Sequence, residues 1–325
     1  MSEAKPHIVS LASYMPTVEK WLDDAYTVHR VWQAKDRETE IDKLREAARG
    51  IAAMGHSRVD GALLDRLPHA KIVSLSSVGY DAIDVAAARA RGVAVTNTPD
   101  VLTDDVADLA LALIVAVARR IVVGDRYVRS GRWAKDGNMA LATNLRGKTA
   151  AILGLGRIGG AIARRAEVCG MKIVYGGRTK RDVPWPYIAD TVELARQADF
   201  LVVAVPGGDA TKHMVDAKVI EALGPEGFLV NIARGSVVDE PALISALQDG
   251  TIMAAGLDVF AKEPAVPAEL LAMENVVLLP HVGSASVFTR EKMDQLIVDN
   301  ILAWAAGRPP LTPVPETPWR SWNKG

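Results

Sequence analysis

Along the chain, short apolar runs alternate with longer stretches in which apolar and charged residues mix. In the first hundred residues the runs 8–11, 26–28, 51–54, 71–75 and 93–95 read as strands. Between them, 17–24, the charged stretch 36–49, 60–67 and 85–91 read as helices. Strand and helix taking turns predicts a parallel sheet covered on both faces. Asn97-Thr98-Pro99-Asp100 reads as a turn and a domain boundary. Residues 103–123 follow as one long helix, apolar around most of its circumference, and so expected to lie buried between domains or between subunits.

From Leu145-Arg146-Gly147-Lys148 onward the runs become almost wholly apolar: 150–153, 172–175, 200–205, 228–232, 254–259 and 276–279. Such runs suit strands buried on both faces. Residues 239–248 read as a helix between two of them, and 286–306 as the last helix, stopped by Gly307 and the proline-rich stretch from Pro309 to Pro318. If the second domain ends near Ser284, that helix is left to pack back on the first. The expected fold class is α/β, with two doubly wound parallel-sheet domains and a cleft between them. One is a flavodoxin-like substrate domain (1–99 with 287–325), the other a Rossmann dinucleotide-binding domain (100–286). No internal repeat is apparent.

Between the run 150–153 and the next helix stands Gly154-Leu155-Gly156-Arg157-Ile158-Gly159. This is the G-x-G-x-x-G spacing that holds a dinucleotide pyrophosphate. Gly154 makes the tight turn, Gly156 admits the phosphates, and Gly159 lets helix and strand pack closely. The helix N-terminus adds positive potential. Ligands of open α/β sheets bind beyond the carboxyl ends of the strands. There the sequence places Ser76-Ser77-Val78-Gly79 in the first domain, and Val205-Pro206, Ala233-Arg234-Gly235, Asp258 with Glu263, and Pro280-His281-Val282-Gly283-Ser284 in the second. Arg234, Glu263 and His281 together suit carbonyl reduction. A guanidinium grips a carboxylate and polarises the neighbouring carbonyl. An imidazolium donates the proton the new alkoxide needs, and a carboxylate beside the imidazole orients it and favours its protonated form.

Composition narrows the class. The chain has 325 residues, enough for two cored domains, with 49% apolar and 24% charged residues and a formal net charge of −1. Nothing in that balance points to nucleic acid or to an anionic membrane. The one cysteine, Cys169, cannot form a disulfide within the chain and reads as a small core residue. The start Met1-Ser2-Glu3-Ala4-Lys5 lacks a signal-peptide shape, and the apolar run 109–118 is too short to span a bilayer. A cytoplasmic protein without a metal is expected.

The chain resembles the D-isomer-specific 2-hydroxyacid dehydrogenases over essentially its whole length. The likeness is carried by Ser77-Val78-Gly79-Tyr80-Asp81, the glycine turn, Asn231-Ile232-Ala233-Arg234-Gly235, Gly256-Leu257-Asp258-Val259-Phe260 with Glu263-Pro264, and Pro280-His281-Val282-Gly283-Ser284. It implies that Arg234 binds substrate, His281 is the acid/base and Glu263 supports it. It also implies that the backbone amides of Ser77, Val78 and Gly79 hold the substrate carboxylate, and that Asp258 lies near the nicotinamide carboxamide. Thr103, Val205, Pro206, Ile232, Ala233, Arg234, His281 and Gly283 are further cofactor contacts expected on the same ground. Within the family the glyoxylate/hydroxypyruvate reductases are most similar, because Ser77 stands where many NAD-dependent members have glycine. Hydroxyphenylpyruvate and D-lactate types remain open alternatives, as does a nicotinamide-sensing corepressor-like module. Met54, Gly55 and Ser77 are expected around the substrate side chain. The run 172–175 ends in Gly176-Gly177-Arg178-Thr179-Lys180-Arg181, with no acid to bind both ribose hydroxyls. Arg178 and Thr179 instead suit a 2′-phosphate, so NADPH is expected to be preferred and NADH possible. A homodimer is expected, with a loop near Trp133 as a candidate contribution from the second subunit.

Overall fold

The computed structural model describes residues 5–317 and 319. Residues 1–4 of the leading stretch, and Pro318 at the end of the proline-rich one, lie outside the described residues. The chain divides into two compact units, one running to Leu102 and resuming at Ala285, the other Thr103–Ser284.

The first unit begins β1 (His7–Ser10), α1 (Pro16–Ala25), β2 (Thr27–Arg30), α2 (Arg37–Lys43) and β3 (Ala48–Met54), then α3 (Gly61–Arg66), β4 (Ile72–Ser76), α4 (Val85–Ala90) and β5 (Ala94–Thr96). All strand pairs are parallel, in the order β2-β1-β3-β4-β5. Aspartates set the helix starts. Asp36, Asp60 and Asp84 each accept a backbone N–H of the first turn, one of the donors a helix N-terminus leaves unpaired. The charged stretch expected to be helical to residue 49 is helical only to Lys43. Ala48 already belongs to β3, whose central place between β1 and β4 overrides the helix propensity of its charged neighbours. A Cβ on Gly50 would lie 2.8 Å from Ile72 Cγ2 and 3.0 Å from Ile8 Cδ1, which shows how tightly that place is packed.

The second unit opens with α5 (Thr103–Ala118), α6 (Ile121–Arg129) and α7 (Arg132–Asp136). Its sheet and covering helices follow: β6 (Thr149–Leu153), α8 (Arg157–Val168), β7 (Lys172–Gly176), α9 (Thr191–Arg196), β8 (Phe200–Val203), α10 (Ala217–Leu223), β9 (Phe228–Asn231), α11 (Glu240–Asp249), β10 (Ala254–Leu257), α12 (Ala268–Ala272) and β11 (Val276–Leu278). The sheet is wholly parallel, ordered β11-β10-β9-β8-β6-β7, and an isolated parallel bridge from Tyr175 to Tyr187 extends it past β7. With that bridge the strands run outward in both directions from β6, as in dinucleotide-binding sheets. The reversal lies between β6 and β8.

The long helix expected over 103–123 is two helices. It stops at Ala118, Arg120 adopts a left-handed conformation (φ +53°), and α6 restarts at Ile121. The apolar pattern continues across the break while its partners change. Val106, Ala107, Ala110, Leu113, Ile114 and Val117 are buried, and α5 packs on α8, β9 and β10, whereas α6 buries none of its residues. The last helix, α13 (Val287–Ala305), belongs to the first unit and lies on α1 and β4. Its Ile297, Val298 and Ile301 share a core with Ile8, Val18 and Leu22. After it the chain runs antiparallel along β5. Thr96 bridges to Pro313, the Val314 N–H donates to the Val95 carbonyl (2.9 Å), and the Val95 N–H donates to Thr317 Oγ1 (2.9 Å). An edge strand is thereby covered. Among the described residues no helix is long and apolar enough to cross a membrane.

Candidate active site

Every strand of the second unit points the same way, so the turns after β6 to β11 share one edge of its sheet. Strands β8 to β11 end one or two residues before their apolar runs do. Val205, Ile232, Ala233, Asp258 and Val259 are therefore buried loop residues at that edge rather than strand residues.

At the turn after β6, Gly154 has φ +102°, and a Cβ there would sit 2.8 Å from the Ala204 carbonyl and Val205 Cγ1. A Cβ on Gly159 would be 2.0 Å from the Gly154 carbonyl oxygen, so helix and turn close on each other only without side chains. Beside Gly156 a Cβ would meet nothing within 4 Å. The 12-residue helix α8 starts there without a side-chain cap, leaving first-turn N–H groups available to an anion. Leu155 and Ile158 are half-buried and Arg157 is exposed. An open cradle at an uncapped helix start fits a dinucleotide pyrophosphate.

The loop after β7 holds Arg178, Thr179, Lys180 and Arg181, all exposed. Two tyrosines fix its ends. The buried Tyr175 hydroxyl donates to the Arg181 carbonyl (3.1 Å) and accepts from the Arg181 N–H (2.7 Å), and the Tyr187 hydroxyl donates to the Gly177 carbonyl (2.8 Å). In the loop after β8, Pro206 is exposed and its carbonyl accepts from the Thr211 hydroxyl (2.7 Å). No sequence pattern signals these anchors, because their partners are backbone atoms.

The candidate catalytic residues gather at the ends of β9, β10 and β11. Asn231, buried, folds the arginine turn: its Oδ1 accepts from the Ala233 N–H (3.0 Å) and its Nδ2 donates to the Arg234 carbonyl (3.0 Å). Arg234 is half-buried and donates from Nη1 to the Ala233 carbonyl (2.8 Å). A Cβ on Gly235 would fall within 2.0 Å of the Phe260 carbonyl, so glycine lets this turn meet the loop that carries Glu263. Glu263 Oε1 accepts from the Phe260 N–H (3.1 Å), while Oε2 lies 2.7 Å from His281 Nδ1. A carboxylate only accepts, so Nδ1 carries the proton of this bond and Nε2 stands on the opposite edge of the ring. Burial pushes the Glu263 carboxyl up. The hydrogen bonds with His281 and the Phe260 amide, with the Arg234 charge, outweigh this and hold it below the ordinary carboxylate value.

His281 has φ +54°, unusual for a residue with a side chain. Asp258 holds it there. The Asp258 carbonyl accepts from the His281 N–H (2.9 Å), and its two carboxylate oxygens accept from the N–H groups of Val282 (2.7 Å) and Gly283 (2.9 Å). Burial pushes the Asp258 carboxyl up, more than those two amides pull it down. Thr103, half-buried, begins α5, and Val106 one turn later lies 3.4 Å from where a Gly283 Cβ would be. Arg234, Glu263 and His281 thus lie on adjoining turns of one unit, with Asp258 beneath them.

In the first unit Ser77, Val78 and Gly79 follow β4 and are half-buried. A Cβ on Gly55 would be 2.7 Å from Ser77 Oγ, so residues 55 and 77 compete for one space, while Met54 ends β3 beside them.

A model of the NAD binding domain of D-isomer specific 2-hydroxyacid dehydrogenases matches residues 111–283. Glyoxylate/hydroxypyruvate reductase A of Arabidopsis thaliana is 47% identical over 305 residues, covering 94% of this chain and 96% of that protein. Hydroxyphenylpyruvate reductase of Plectranthus scutellarioides is 48% identical over 298 residues, covering 91% and 95%. The crystal structure of an NADPH-dependent glyoxylate/hydroxypyruvate reductase from Sinorhizobium meliloti, in complex with NADP and malonate, is similar with a TM-score of 0.90 and 44% identity, covering 98% of this chain and 99% of that one. The chain belongs to the D-isomer-specific 2-hydroxyacid dehydrogenase family. Within that class it is a nicotinamide-dependent reductase of 2-ketoacids.

Proposed function

We propose that the chain is a cytoplasmic reductase of small 2-ketoacids, glyoxylate and hydroxypyruvate, giving glycolate and the D-2-hydroxyacid, with NADPH preferred over NADH. The observation that carries the chemistry is the Glu263–His281 pair at 2.7 Å with Arg234 on the adjoining turn. The Ser77, Val78 and Gly79 amides receive the substrate carboxylate. Arg234 binds the substrate and polarises its carbonyl. His281 donates a proton from Nε2 to the carbonyl oxygen as it becomes a hydroxyl, and Glu263 compensates the imidazolium charge beforehand. When bound, the reduced nicotinamide supplies the hydride. Gly154, Gly156 and the start of α8 hold its pyrophosphate, Val205 and Pro206 flank it, and Arg178 and Thr179 hold the 2′-phosphate. Thr103, Ile232, Ala233, Asp258 and Gly283 line its nicotinamide side.

The cofactor preference rests on the loop after β7, where exposed Arg178 and Thr179 stand in place of an acid. The test is steady-state kinetics over a panel of 2-ketoacids (glyoxylate, hydroxypyruvate, pyruvate, phenylpyruvates) with each cofactor. Highest kcat/KM for the two small substrates with NADPH is the expected result. Equal or better efficiency with NADH overturns the preference, and higher efficiency with phenylpyruvates overturns the substrate class.

A further inference from the structure

The turn Asn97-Thr98 looks like a mere connector in the sequence, yet in the first unit it lies against the substrate loop. Asn97 Nδ2 donates to the Val78 carbonyl (2.9 Å), and the Thr98 N–H donates to the Ser77 carbonyl (2.9 Å). In a trans peptide the C=O and the following N–H point opposite ways. Fixing the Ser77 carbonyl therefore fixes the Val78 N–H, and fixing the Val78 carbonyl fixes the Gly79 N–H. Each N–H therefore points away from the Asn97-Thr98 donor that holds the carbonyl before it, which leaves the pair free to receive an anion. Among the described residues neither N–H has a hydrogen-bond acceptor.

Asn97 is itself held from behind. Its N–H donates to the Thr312 carbonyl (3.2 Å), and its carbonyl accepts from the Thr312 hydroxyl (2.6 Å). Thr312 is fixed by the buried Asn300 of α13, whose Oδ1 accepts from the Thr312 N–H (3.0 Å) and whose Nδ2 donates to the Thr312 hydroxyl (2.9 Å). A continuous series of hydrogen bonds runs from Asn300 through Thr312 and Asn97 to Val78.

We propose that Asn97 is a positioning residue for substrate binding: by holding the Val78 carbonyl it keeps the Val78 and Gly79 amides aimed at the substrate carboxylate. The inference rests on the reading that those amides receive that carboxylate. Asn97→Asp preserves shape but sets a carboxylate oxygen against the Val78 carbonyl, and the peptide turns away. Asn97→Ala removes the donor without adding charge, and serves if the aspartate variant does not fold.

The probe is oxamate, a carboxylate of 2-ketoacid shape, added to the NADPH complex. In wild-type protein carrying isotope-labelled valine and glycine, the Val78 and Gly79 amide resonances shift on adding oxamate. If they do not, the reading of the loop fails. In Asn97→Asp, oxamate binds about tenfold more weakly and the 2-ketoacid KM rises more than kcat falls, with NADPH affinity unchanged. The deficit relative to wild type narrows as pH is lowered toward about 5, where the introduced carboxyl begins to protonate and regains a donor; a merely structural role moves stability but not this ratio. Amides that shift in the wild type, together with oxamate affinity within about twofold of wild type in the variants, overturn the proposal.

Discussion

At the residue scale the site depends on a histidine held in a conformation it does not favour. A non-glycine residue at positive φ costs roughly 1 kcal/mol, and the three hydrogen bonds that Asp258 accepts from residues 281–283 offset that cost. Asp258 and Glu263 respond to pH with opposite signs. Glu263 is held below its unfolded value, so it contributes stability above the unfolded carboxylate range, and the contribution is lost as pH falls through its folded value. Asp258 is raised, so its contribution is present at low pH and is lost as pH rises through its folded value. His281→Ala should cut kcat by about a hundredfold or more while NADPH still binds, as seen by fluorescence titration. Glu263→Gln should move the pH–rate profile for ketoacid reduction toward acid, and an unmoved profile would remove Glu263 from its supporting role. Arg178→Ala should raise KM for NADPH by about tenfold and leave that for NADH nearly unchanged. The clustering of Arg234, Glu263 and His281 was legible because each is an ionisable residue past the end of an apolar run. The Asn231 and Asp258 staples were not, since their partners are main-chain atoms brought close only by folding.

At the element scale, periodicity located every strand and the longer helices, but not the short helices α7, α9, α10 and α12, nor where each element stops. The run 103–123 stays apolar past Ala118, yet burial stops there, and the helix breaks where α5 runs out of core to cover. Nothing in a pattern of apolar positions distinguishes a residue facing α8 from one facing outward. The corner at Arg120 gives a stability test. Arg120→Val puts a β-branched residue at positive φ and should lower unfolding free energy by about 1–2 kcal/mol, while Arg120→Gly should leave it equal or higher. Urea denaturation measures both. The strands stop short of the apolar runs for a related reason: Val205, Ile232 and Val259 are buried like strand residues, although they belong to the turns that follow β8, β9 and β10.

At the scale of the whole molecule, the second unit exposes several large apolar side chains over one segment. Ile121, Val128, Trp133 and Leu141 are all exposed, on and just after α6 and α7. Exposed apolar groups gathered in one segment mark an association surface, and the chain is expected to be a homodimer through it. Light scattering should give twice the mass of one chain, and Val128→Glu should shift the population toward monomer at low concentration. A wild-type monomer at micromolar concentration would remove the expectation.

The return of α13 to the first unit also sets an order of events during synthesis. Residues 103–284 form an uninterrupted stretch and can complete their sheet as soon as they have left the ribosome. The first unit emerges earlier but must wait. Its face formed by Ile8, Val18 and Leu22 stays uncovered until Ile297, Val298 and Ile301 are made. The part of the protein translated first is therefore finished last, and through that interval it is the part most exposed to aggregation and most in need of a chaperone.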